Sequence, residues 1–180
     1  NEGYIFQPHT SAGRLPTFKA YNWYVQQMEI NPLDKEQSQA LQQVLGQQDE
    51  QSLKQTAKYI ASQTNLAVFW AFHRHHVYYT GIANLLAQPE FVAHNSICNI
   101  SSVMDRLDEI INEEFDNLVA KPHGLLGEDS PFGDFAGVII TKYRTSEQTG
   151  LIGILGPVRM DYARYWPIIN YLYQILNYEK

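Results

Sequence analysis

Residues 150–162 read GLIGILGPVRMDY, and they constrain the fold more than any other stretch of the chain. Residues 150–155 are a short apolar run suited to a buried strand. Gly156 and Pro157 then break the run. Arg159, Met160, Asp161 and Tyr162 lead into a long segment with apolar residues at helical spacing. The pattern is a strand, a tight turn and a helix start, with one arginine and one aspartate at the junction. Just upstream, residues 136–143 (AGVIITKY) make a second strand. The polar loop at 144–149 (RTSEQT) is short enough to pair the two as an antiparallel hairpin. A hairpin followed by a helix is therefore the expected core of the domain.

The chain around this core has 180 residues, 44% of them hydrophobic and 13% aromatic. That is the size of one domain, or of one domain with an appendage, and it supplies enough apolar material for a packed interior. No apolar run approaches the roughly 20 residues of a membrane helix. No secretory signal pattern stands at the N-terminus. A cytoplasmic protein is the simplest reading. The single cysteine, Cys98, forms neither an internal disulfide nor a Cys-based zinc site by itself.

The net charge of −6 is localised. Residues 1–30 carry two basic and two acidic side chains, and residues 121–180 carry six of each. The excess lies in residues 31–120, with five basic against eleven acidic groups. Such a chain is a poor non-specific nucleic-acid binder, because phosphate neutralisation by Lys and Arg supplies most of that affinity. Any DNA contact must come from a small local surface or from sequence outside these residues.

In chain order, residues 4–7 read as a strand, so the sequence opens inside a structural unit and is expected to continue N-terminally. Residues 3–17 (GYIFQPHTSAGRLPT) suggest a small hairpin, with an ordered arm of no further role as the plain alternative. Thr17 caps an aromatic-rich helix that stops near Asn31–Pro32. Asp34 and Asp49 start two more helices, the first ending at Gly46. The Gln-rich stretch 37–55 keeps its apolar period and reads as solvated helix faces. Residues 66–72 (LAVFWAF) form a buried strand. Three histidines within HRHH, residues 73–76, invite a metal reading. Neighbouring side chains at a turn diverge, however, and a solvent-facing turn before the strand at 77–80 is expected. A short helical turn at 84–91 ends near Pro89. The stripe Ile97, Ile100, Val103, Met104, Leu107, Ile110, Ile111, Phe115 and Leu118 then predicts one amphipathic helix lying on the sheet. Its acidic outer face is an ordinary solvated surface. Residues 121–124 read as a loop, 125–128 as a short strand, and 129–134 as a turn-rich loop. The last helix spans 161 to about 177, with Pro167 kinking it or ending its first segment. Tyr162, Trp166, Ile169, Leu172, Tyr173 and Leu176 should face the core. The expected fold is α+β: about five mostly antiparallel strands with helices packed on the sheet.

No nucleophile–base pair, phosphate-binding glycine loop or metal-ligand spacing emerges, so an enzyme is not expected and neither a cofactor nor a metal is called for. GLIGILG is a strand with glycines and does not open a helix in the dinucleotide-binding manner.

The segment GYIFQPHTSAGRLPT resembles the wing of the winged-helix domain in the HrcA family of heat-inducible transcription repressors. GLIGILGPVRMDY resembles that family's closing signature in its GAF-like domain. Between them TNLAVF, GIANLLAQPEF, LLGED and AGVIITKY are similar to the family in the same order. The resemblance implies a GAF-like antiparallel sheet flanked by helices (residues 65–180), a helical connector (18–64) and the wing remnant of a winged-helix domain (1–17). It implies a repressor of chaperone operons that binds an inverted-repeat operator as a homodimer, with the chaperonin as modulator and no membrane association. Gln7, His9, Thr10, Ser11 and Arg14 would sit on the wing, a composition suited to phosphate or minor-groove contact. Base reading would fall to an upstream helix, and that added segment should be basic. Gly156, Pro157, Arg159, Asp161 and Tyr162 would be signature residues, either structural or in contact with a ligand. Structurally, Asp161 would cap the last helix and Arg159 would pair with a carboxylate or carbonyl. Longer members carry an inserted dimerisation segment after the first core strand, where this chain has only HRHH and a short strand. Dimerisation would then use the aromatic helix at 18–28, the connector, or the final helix with Tyr165 and Trp166. The competing reading is a GAF-like small-molecule-sensing or protein-interaction domain that binds no DNA.

Overall fold

A computed structural model describes residues 2–91, 94–118, 120–127, 130–145 and 148–177. Two short strands open it, β1 (Ile5–Phe6) and β2 (Leu15–Pro16), paired antiparallel. Thr17 then caps α1 (Phe18–Gln27), its extended backbone closing the arm and its hydroxyl accepting from the Ala20 amide. The carboxylates of Asp34 and Asp49 accept from the amides of Gln37 and Ser52, each at 2.8 Å. They thereby start α2 (Lys35–Leu45) and α3 (Glu50–Thr64). All three starts satisfy amides that a helix leaves unpaired at its first turn. Gly46 ends α2 with φ of 53°.

The chain then forms β3 (Ala67–His73), β4 (His76–Thr80), α4 (Ile82–Leu86), a 3-10 turn (Pro89–Phe91), α5 (His94–Asp105) and α6 (Leu107–Asn117). It finishes with β5 (His123–Leu126), β6 (Ala136–Arg144), β7 (Thr149–Pro157) and α7 (Tyr162–Asn177). The second sheet has the order β4-β3-β7-β6-β5, every pair antiparallel. The hairpin expected from residues 136–155 is β6–β7 at its centre.

Both sheet faces are covered, which is why the central strands read as continuous apolar runs rather than alternating ones. On one face Val68, Trp70, Ile139, Ile152 and Ile154 pack with residues of α1, α2, α3 and α7. On the other, Phe69, Val138, Ile140, Leu151 and Leu155 pack with residues of α4, α5 and α6 and with Phe91 and Phe132. Residues 18–64 therefore share one core with the sheet.

The sequence-based expectations differ from the structure at several points. The stripe from Ile97 to Leu118 belongs to two helices, because Arg106 leaves helical geometry at φ −103° and ψ 8°. The apolar phase is kept across the break, so periodicity does not reveal it. The Ile97 side chain lies outside the described residues. Strand β7 runs through Gly156 and Pro157 instead of stopping before them. Pro157 is its last residue and pairs only with Ala136, while the β3 ladder has already ended at Leu155. A missing N–H at that place breaks no ladder on the β3 side. The fifth strand begins at His123, two residues before its expected start. Helix α7 continues through Pro167, which removes a single bond close to the N-terminus while Trp166, Ile168 and Ile169 are buried around it. Tyr173 is only half-buried, and Tyr171 and Ile175 pack against the core instead.

Candidate functional site

The arm is the first region with exposed chemistry. The Ala12 amide donates to the His9 carbonyl at 2.9 Å, closing a turn with Thr10 and Ser11 at its tip. The Gln7 side-chain amide donates to the Thr10 and Ala12 carbonyls at 3.1 and 2.7 Å. Gln7 therefore braces the loop from inside, a bond between distant loop atoms that residue type alone does not announce. Gln7, His9, Thr10, Ser11 and Arg14 are all exposed. The geometry thus brings two hydroxyls, an imidazole and a guanidinium to one projecting loop.

The base of the arm is tied to α1. The Thr17 amide donates to Tyr4 O at 3.0 Å, and its hydroxyl donates to Gly3 O at 2.7 Å. Lys19 Nζ donates to Glu2 O at 2.7 Å and lies 4.6 Å from the centre of the Tyr4 ring. Helix α1 is seated on the sheet edge by buried Val25 and by Asn22 Nδ2, which donates to Leu126 O at 3.5 Å.

The second region is the joint between β7 and α7. Arg159, Asp161 and Tyr162 each have a partner within the protein. Asp161 Oδ1 accepts from the Arg164 amide at 3.1 Å and caps α7. Arg159 pairs with Glu90 on the 3-10 turn. The Tyr162 hydroxyl donates to Val158 O at 2.8 Å, and burial holds this phenol well above its usual titration range. A Cβ on Gly156 would press on Leu66 and the Met160 sulfur. All five signature residues are therefore brought together, in a joint that fixes the angle between strand and helix. Glu90 as the partner of Arg159 could not be named from sequence, since the two lie far apart along the chain.

At the third region, His73 ends β3 and His76 begins β4, so the turn is only Arg74 and His75. The Arg74 guanidinium grips both oxygens of Asp116, and that hydrogen bonding holds the Asp116 carboxyl below its usual range. Among the described residues no group of three His, Cys, Asp or Glu side chains is placed to hold a metal. Nor is any helix among them long and apolar enough to cross a membrane.

These features define an α+β protein of GAF-like fold, with helices on both sheet faces and a β arm leading into its first helix. Residues 21–165 match the family described as HrcA protein C terminal domain. The chain belongs to the HrcA family, a family of transcription repressors rather than of enzymes. The heat-inducible transcription repressor HrcA of Arthrobacter sp. (strain FB24) is 32% identical over 124 residues, which cover 67% of this chain and 37% of that protein. HrcA of Parafrankia sp. (strain EAN1pec) is 49% identical over 45 residues, 24% of this chain and 13% of that protein. The chain thus matches at most little more than a third of the length of these curated relatives. A solved structure of a hypothetical protein superposes with a TM-score of 0.68 at 14% identity, covering 97% of this chain and 82% of that one. That likeness concerns the fold alone.

Proposed function

We propose that this chain is the regulatory and dimerisation part of a heat-inducible repressor of chaperone operons, acting in the cytoplasm. The observation that carries this reading is the family match across residues 21–165. In the proposed division, residues 1–17 are the wing of a winged helix, 18–64 a helical connector and 65–180 the GAF-like regulatory domain. The winged helix itself lies upstream and reads an inverted-repeat operator, and a homodimer supplies the two reading heads such a site needs. Thr10, Ser11, His9 and Arg14 touch the phosphate backbone, while Gln7 stiffens the loop that presents them. Contacts of this kind set position on the duplex and not sequence. The chaperonin modulates the repressor.

The alternative, a small-molecule sensor, wants a cavity over the sheet. There Phe69 stacks on Phe132 at 5.6 Å between ring centres, within a packed apolar cluster. That packing gives the sensor reading no support.

The test is operator binding by the longer parent protein, titrated against an inverted-repeat duplex and a scrambled duplex at two salt concentrations. Preference for the inverted repeat that survives the higher salt is expected. Equal and salt-sensitive binding to both duplexes, or none, would overturn the assignment.

A further inference from the structure

Residues 82–91, helix α4 and the 3-10 turn, link the end of α3 to the joint after β7. Their backbone bonds are local: the amides of Leu85, Ala87, Gln88 and Phe91 donate to carbonyls three or four residues back. Side chains supply the hold on the rest of the molecule. Asn84 Nδ2 donates to Ala61 O at 3.1 Å and to Leu66 O at 3.4 Å, and Gln88 Nε2 donates to Asn65 O at 3.0 Å. Leu85 and Phe91 are buried in the second core with Ala67, Phe69 and Leu155. At the far end Glu90 pairs with Arg159. Both Glu90 carboxylate oxygens are shut off from solvent, whereas the Arg159 side chain is 60% exposed.

We infer that residues 82–91 are a strap that opens as a unit before the sheet does, and that the Glu90–Arg159 pair is its lock. A helix as short as α4 is marginal in water, and Gly81 starts this one without a capping side chain. A segment tied down by a few side chains belongs to the low end of local stability. The lock works through the burial of charge as well as through attraction. A carboxylate kept from water beside one cation becomes an unpaired buried charge when that cation is removed. Water then draws Glu90 outward, and Phe91, next along the chain, leaves the core with it. The strap is the side that yields. Arg159 stands on the joint between two long elements of the core, β7 and α7, whereas Glu90 stands on a turn of three residues. Opening uncovers Leu85 and Phe91 and the apolar sheet residues beneath them. It also strips the Asn84 and Gln88 donors from the end of α3. The strap therefore couples the second core to the connector that leads back to the arm.

The experiment is hydrogen exchange by mass spectrometry on the 180-residue chain and its variants, with circular dichroism as a check on folding. In the unaltered chain residues 85–91 should be at least about tenfold less protected than β3, β6 and β7. Arg159→Gln should lower protection at 85–91 by a further tenfold or more, roughly, while the central strands keep theirs. Glu90→Gln removes the charge together with the lock, so it should change protection by less than about threefold. The double variant Arg159→Gln with Glu90→Gln should match Glu90→Gln, a recovery that two independent losses could not give. Arg74→Gln, which cuts the exposed pair with Asp116, should leave the strap unchanged. Equal protection of the strap and the central strands in the unaltered chain would overturn the inference, and that comparison needs no variant to fold. Protection lost evenly over the sheet in Arg159→Gln, or a Glu90→Gln chain as open as Arg159→Gln, would overturn the lock.

Discussion

Tyr143 lies fully buried beneath the sheet, its hydroxyl 3.4 Å from the Ala71 carbonyl, and burial pushes its phenol up to about 12. Tyr162 is raised as well, again mainly by burial. In the unfolded chain both phenols titrate near 10. Groups raised on folding contribute stability that is whole below the unfolded value and lost as pH climbs towards the folded one. A shift of about two units at Tyr143 corresponds to roughly 2–3 kcal/mol. The thermal midpoint should hold steady up to about pH 9 and fall steeply above about pH 10. Tyr143→Phe should flatten part of that fall. Calorimetry across an alkaline pH series checks it, and a midpoint unchanged to pH 12 would count against the idea. At Gly153 the constraint is space. A Cβ there would strike the ring of Phe69, which is held in turn by its stack on Phe132. Gly153→Ala should cost about 1–3 kcal/mol, as over-packing of a filled interior does. Chemical denaturation would show this as a shifted midpoint at unchanged slope.

Among the elements, the arm is the one with least support of its own, since a two-stranded ribbon is marginal in water. Thr17 joins it to α1 as cap and as donor to Gly3 O. Thr17→Ala should cost about 0.5–2 kcal/mol. It should also raise amide exchange at residues 3–16 well before the sheet is affected, and hydrogen exchange by mass spectrometry would separate the two. The elements most legible in the sequence were those fixed by local chemistry. Thr17, Asp34 and Asp49 announced helix starts because a capping side chain acts on amides two or three residues ahead. The hairpin at 136–155 was legible because two apolar runs with a short polar loop have few other ways to pair. The break at Arg106 was not, because both halves of the stripe face the same sheet and keep one phase. Nor was the role of Glu90, whose pairing with Arg159 depends on the finished fold. The bracing amide of Gln7 was hidden for the same reason: its acceptors are backbone carbonyls, which every residue carries.

For the molecule as a whole, the shared core decides how it melts. Leu53, Ala57 and Ile60 of α3 are buried in the same cluster as Trp70 and Ile152 of the sheet and Leu172 of α7. Connector and sheet should therefore unfold in one transition. Leu53→Ala should lower the whole transition by about 2–5 kcal/mol rather than detach the helices. Far-ultraviolet dichroism and tryptophan fluorescence should report the same midpoint, and two separate midpoints would show independent units. If heat acts on a repressor through this domain, that midpoint should lie close to growth temperature. A midpoint far above it would remove the domain as the thermal element. The seating of α1 on β5 has a mechanical consequence. Val25 and Asn22 hold the helix to the sheet edge, and Thr17 ties the arm to the helix, so the direction of the arm is set through two joints that begin at the sheet. Whatever is mounted on the arm inherits its bearing from the sheet. A small tilt of β5 would be magnified at the tip, like the swing at the end of a long pointer.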